Sequence, residues 1–109
     1  MFHALEIAMQ LLAAVRPIVD AVMPRDKNLA CQLRDAATSA AANTAEGGRR
    51  IGGDRLHAFR IASGEAAEAL TWSRIAIGWG YAPASLLEPV VALEDRLQAV
   101  LWRLRTPRR

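Results

Sequence analysis

Apolar residues in this sequence recur three and four positions apart through four successive stretches, and proline or glycine interrupts each one. That spacing puts side chains on one face of an α-helix. No strand-like alternation competes with it. The last stretch is the most regular: Leu86, Val90, Leu93, Leu97, Val100 and Leu104 repeat as the seam of a helical bundle does. A chain of 109 residues is one domain's worth. Helices over about 2–22, 27–46, 54–79 and 86–104 with short connections predict an all-α, antiparallel up-down four-helix bundle, a single domain over 1–109.

Each helix carries its own detail. In the first, Leu5, Ala8, Leu12, Val15, Val19 and Val22 form one stripe, and Ile7, Leu11, Ala14, Ile18 and Ala21 a second beside it. Only a strip through Glu6, Gln10 and Asp20 is polar, so this helix needs cover on more than one side, which points to a subunit interface. Pro17 is expected to kink it or tighten its last turns. After Pro24, either Asp26 or Asn28 can cap the second helix. Leu29, Leu33, Ala36, Ala37, Ala40 and Ala41 give that helix a face that becomes small toward its end, where Gly47 and Gly48 are expected to stop it. Arg49 to Gly53 reads as a loop, with Asp54 as N-cap of the third helix. Leu56, Phe59, Ala62, Ala66, Leu70, Ser73 and Ile77 are its stripe, and Gly64 in its middle is expected to admit a close neighbour. Gly78, Gly80 and Pro83 break the chain, and Ser85 with Glu88 has the spacing of a capping box. Pro89 falls in the first turn that follows. Arg105 to Arg109 is a short basic tail, expected to fray.

Composition narrows the function classes. The chain is 52% hydrophobic and 23% charged, enough to bury a core and too apolar for a disordered tail. Alanine supplies 22 residues, a density that suits closely approaching helices. A single cysteine, Cys31, excludes an internal disulfide framework. No apolar run is long enough to span a membrane, and the N-terminus has no basic region ahead of its apolar stretch. These features predict a cytoplasmic protein without a signal peptide.

Charge is small overall and uneven. The formal net charge is +3, and all basic residues but Lys27 are arginine. Residues 1–48 hold four basic and five acidic side chains (net −1), and 49–109 hold ten and six (net +4). Guanidinium groups fork toward phosphate and carboxylate. Arg49, Arg50, Arg55 and Arg60 surround the second connection, and Arg103, Arg105, Arg108 and Arg109 lie at the end of the chain. An antiparallel topology brings both groups to one end of the bundle. They are the candidate nucleic-acid-binding residues, with a solvated surface as the structural alternative.

Catalytic and metal chemistry find little footing. A di-iron bundle needs Glu-x-x-His motifs, and the nearest match, Asp54 to His57, sits at a helix start where Asp54 serves as a cap. Cys31 has no histidine near it in sequence, His3 and His57 being the only two, and no glycine-rich loop follows a strand. No catalytic residue, metal ligand or cofactor is therefore assigned, and the protein is not read as an enzyme. Glu65 and Glu68 share a face and are expected to be solvated or paired with arginines at helical spacing. Asn43 and Glu46 occupy the last turn of the alanine-rich helix, where the helix dipole disfavours a carboxylate. An arginine or a backbone amide is expected to compensate Glu46.

The segment Gln32 to Gly47, QLRDAATSAAANTAEG, resembles the central signature of the bacterial four helix bundle proteins. These are the ribosomal RNA intervening-sequence proteins, to which accessory proteins of diversity-generating retroelements are related. The family pattern runs roughly Q-I-R-R-A-x-x-S-I-P-x-N-I-A-E-G. Gln32, Arg34, Ala36, Ser39, Asn43, Ala45, Glu46 and Gly47 match it. A second pattern, I-A-x-G-S-x-x-E-x-x-T, is matched by Ile61, Ala62, Gly64, Glu68 and Thr71, and Gly80-Tyr81 fits the turn that follows. Asp35, Ala40, Ala41, Thr44 and Glu65 depart from the patterns, and Asp35 and Glu65 weaken any nucleic-acid role for their faces. The resemblance implies an antiparallel four-helix bundle that assembles into a homopentamer and carries no enzymatic activity. It also implies partners: RNA or DNA bound through a basic surface, and a reverse transcriptase in the retroelement branch.

Overall fold

The computed structural model describes residues 2–106. Its elements are α1 (His3–Val22), α2 (Lys27–Arg49), α3 (Gly52–Gly78), a 3-10 turn (Ala84–Leu86) and α4 (Leu87–Arg105). Each helix packs on its two neighbours around the bundle, and the α1–α3 diagonal barely meets. The result is an all-α up-down bundle measuring 47 × 22 × 22 Å.

Packing follows the apolar spacing. Phe59, Ile7, Leu11, Ile18, Leu33, Leu97 and Leu101 are the largest fully buried side chains. The expected α2 face is buried throughout, and Ala30 joins it. α3 answers with Ala58, Ala62, Ala66, Ala69 and Ala76. Small residues on both sides let these two backbones approach, and α2–α3 is the most extensive contact in the bundle. α1 buries Ile7, Leu11, Val15 and Ile18 and leaves Leu5, Leu12, Ala14 and Ala21 only half covered. It runs through Pro17 unbroken, with that proline exposed. Along α4, Leu101 joins Val90 and Leu97 in the core, while Leu93, Val100 and Leu104 are partly buried.

Helix ends obey local chemistry only in part. The Asp26 carboxylate accepts from the Leu29 amide at 3.0 Å, so of the two candidate caps Asp26 is the one used. Gly80 (φ 74°) closes α3: its amide donates to Ile77 O and that of Tyr81 to Ala76 O, at 2.9 and 3.0 Å. Three expectations are overturned. Gly47 and Gly48 do not stop α2, which continues to Arg49: neither takes the left-handed φ of a glycine cap, and Gly47 is packed against the Phe59 ring instead. Asp54 does not cap α3. The helix starts earlier, at Gly52 with its left-handed φ of 59°, and Asp54 lies in its first turn, where the dipole favours an acid. Ser85 and Glu88 form no capping box, because the chain enters α4 through the 3-10 turn, with Ser85 inside it.

Gly64 corrects a fourth expectation. It is exposed, and a Cβ added there meets nothing within 4 Å. With no neighbour to admit, glycine only costs helix stability. Gly64→Ala is expected to stabilise the fold by about 0.5–1 kcal/mol, read as a higher melting temperature. A lower one contradicts the open surroundings of this position.

Candidate functional site

The arginines of the second connection and of the chain's end converge. Phe2 at the start of α1 stacks on Phe59 of α3 (centroids 6.3 Å apart), and its ring lies 3.0 Å from where a Gly48 Cβ would stand. These contacts tie the N-terminus of α1, the C-terminus of α2 and the N-terminus of α3 to one end. α4 runs antiparallel to α3, with the Gln98 amide donating to Ser63 O at 2.8 Å. Seven residues on from Gln98 lies Arg105, and seven back from Ser63 lies Leu56. Both are about 10 Å toward the same end at 1.5 Å per residue. Arg49, Arg50, Arg55, Arg103 and Arg105 therefore share one end, with Arg60 just over one helical turn beyond Arg55. Arg108 and Arg109 lie outside the described residues.

These arginines are not equivalent. Arg49 Nη2 donates to Glu46 at 2.7 Å, and Arg50 Nε donates to the other carboxylate oxygen. The two guanidinium groups, Arg50 first, hold the Glu46 carboxyl below its ordinary value, and Glu46 in turn pushes the Arg50 guanidinium up. This is the compensation that a carboxylate at a helix C-terminus requires. Arg55 Nη1 donates to Gly47 O at 3.1 Å, and its guanidinium lies 4.9 Å from the Phe59 centroid. It closes the end of α2. Arg60 and Arg103 are exposed and have no ion pair among the described residues. The Arg105 guanidinium lies 5.7 Å from the Trp102 ring.

Helical periodicity gives Trp102 no task, since it falls off the α4 seam. It is 62% exposed and stands beside Arg103 and Arg105. An aromatic residue off the apolar period and next to arginines is a signal available in the sequence.

The signature residues lie along α2 and α3, and they divide by role. Gly47 is a contact glycine: a Cβ there would stand 2.5 Å from two Phe59 ring carbons. Asn43 Nδ2 donates to Ser39 O and Oγ at 2.9 and 3.1 Å. Gln32, Arg34, Glu68 and Thr71 line the outside of the bundle, with Arg34 donating to Asp35 at 3.5 Å and Thr71 to Ala67 O at 3.0 Å. Asn43, Glu46, Arg50, Asp54, His57 and Ile61 line an open cleft of about 310 Å³. Among the described residues no three histidine, cysteine, aspartate or glutamate side chains form a group that could hold a metal ion.

Glu65 departs from expectation. Neither it nor Glu68 pairs with an arginine among the described residues. Burial pushes the Glu65 carboxyl up, the Glu68 charge adds to this, and a hydrogen bond with Ser39 opposes it. The fold thus favours protonated Glu65. That contribution is fully present below the ordinary carboxyl value and is lost as pH rises through the higher folded value. Glu65→Gln stays neutral, so it is expected to melt above the parent protein at about pH 7 and level with it near pH 4. A stability difference independent of pH contradicts this.

Comparison with known proteins sets the chain among relatives. Residues 2–103 match the family described as 23S rRNA-intervening sequence protein. The fold is also similar to a crystal structure of a protein of unknown function from the S23 ribosomal protein family of Bacteroides thetaiotaomicron. The TM-score is 0.84 at 17% identity, covering 95% of this chain and 99% of that one. No curated protein matches the sequence. With nearly the whole length matched, this chain belongs to the 23S rRNA-intervening sequence protein family.

Proposed function

We propose that this protein is a non-catalytic, oligomeric bundle that binds nucleic acid, RNA or DNA, through its arginine-bearing end as an accessory of a ribonucleoprotein. The observation that carries the reading is the gathering of Arg49, Arg50, Arg55, Arg103 and Arg105 at one end of a bundle 47 Å long. Guanidinium groups in such a cluster meet phosphate oxygens and displace condensed counterions. Arg60 and Arg103, unclaimed by acids among the described residues, are the most available. Titration with RNA at two salt concentrations tests the reading. Binding at low salt that weakens steeply at high salt is expected, and no binding at low salt, or indifference to salt, contradicts it.

The oligomer has its own support. α1 is half covered along one side, and a groove of about 210 Å³ runs between α1 and α2 over Leu12, Val15, Val19 and Ala37. A second copy covering it accounts for a helix apolar over most of its circumference. For the homopentamer implied by the family resemblance, light scattering is expected to give five times the 11.9 kDa protomer mass, and a monomer mass contradicts it. The same groove favours a second reading, a scaffold for a protein such as a reverse transcriptase. Recovery of that partner after nuclease treatment supports it over direct binding. The setting proposed is the cytoplasm, in keeping with the lone Cys31. Among the described residues no helix is long and apolar enough to cross a membrane.

A further inference from the structure

The last turns of α4 present an aromatic face that the bundle does not use. Leu97 and Leu101 turn into the core, and Trp102 turns out, 62% exposed. Arg105, one turn on, sets its guanidinium 5.7 Å from the indole centroid, and its Nε–H is buried with no acceptor among the described residues. Packing against the ring, rather than an acid, holds this cation. Arg103 beside it is exposed and has no ion pair among the described residues. A large indole in water, flanked by cations at the arginine-bearing end, has the chemistry that stacks an unpaired base while arginines meet the flanking phosphates.

Stacking argues for single strands over duplex: bases paired and stacked in a duplex hide their faces from an indole, whereas those of a single strand are free to stack on it. We infer that Trp102 is a base-stacking residue and that the ligand of the arginine-bearing end is single-stranded nucleic acid. This rests on the reading of that end as a nucleic-acid surface.

The test uses the full chain and two labelled RNA probes, an oligouridylate of about 16 nucleotides and a duplex of equal length. The parent protein is expected to bind the single strand more tightly. Trp102→Ala should weaken that binding by about five- to a hundredfold while leaving its salt dependence unchanged. Trp102→Phe should retain most of it. Trp79→Ala removes the exposed tryptophan at the opposite end and should change nothing. Parent-like binding by Trp102→Ala overturns the stacking role and leaves the arginine reading standing. Equal or tighter duplex binding overturns the single-strand preference. A changed oligomer mass in Trp102→Ala overturns the proposal in favour of an interface between copies. A parent protein that binds neither probe at low salt overturns both this inference and the reading beneath it.

Discussion

Gly47→Ala should destabilise the protein by about 1–3 kcal/mol, because the new methyl group has nowhere to go. Its carbon would stand 2.5 Å from Cδ1 and Cε1 of Phe59, a ring with 0% exposure. That ring cannot withdraw freely. Phe2 stacks on it, and Arg55 lies over it while donating to the Gly47 carbonyl. A helix interior normally gains from alanine in place of glycine, so a loss here isolates the contact from backbone propensity. For a domain of this size the loss corresponds to roughly 4–8 °C of melting temperature per kcal/mol. Phe59→Leu in the same chain should recover part of the Gly47→Ala loss, as a double-mutant cycle reads it. Unchanged melting of Gly47→Ala contradicts the close approach of α2 and α3 at this end.

The arginines should fall into two classes when RNA binding is measured. Arg60→Gln, Arg103→Gln and Arg105→Gln together remove three positive charges that no acid offsets among the described residues. Affinity should fall about tenfold or more for each phosphate left without its guanidinium, and the salt dependence should flatten by about 0.7 in slope per phosphate. Removing the clamp with Glu46→Gln, Arg49→Gln and Arg50→Gln deletes two positive charges and one negative, a net change of one. Glu46 already holds both of those guanidinium groups, so this second variant should lose far less affinity than the first. Equal losses contradict the division. A greater loss from the clamp variant would reverse it.

What could be read from the sequence tracks how local each cause is. The α2 face was legible because Leu29 to Ala41 repeat at helical spacing and the apolar positions of that repeat face the core. Asp26 was legible as a cap because an aspartate and the amide three residues on need nothing else. The same logic fails at Asp54 and Ser85. A left-handed Gly52 and a 3-10 turn start those helices elsewhere, and both depend on how the connections cross the bundle. Gly47 failed for a related reason: its purpose is a ring twelve residues away, and glycine at a helix end reads locally as a stop. The Glu46 clamp was half legible, since the dipole demands a compensating charge but does not say which arginines provide it. Gathering the arginines needed only the topology. Trp102 needed attention to what departs from the apolar period.

Photo-cross-linking shows whether RNA sits on the arginine-bearing end. The intact protein is bound to an RNA carrying photoreactive 4-thiouridine, irradiated and digested, and the adducts are located by mass spectrometry. Adducts are expected in 46–60 and 98–106, around the α2–α3 connection and in the last turns of α4. Adducts confined to the opposite end, over 20–28 and 79–86, or along the α1–α2 groove would contradict it.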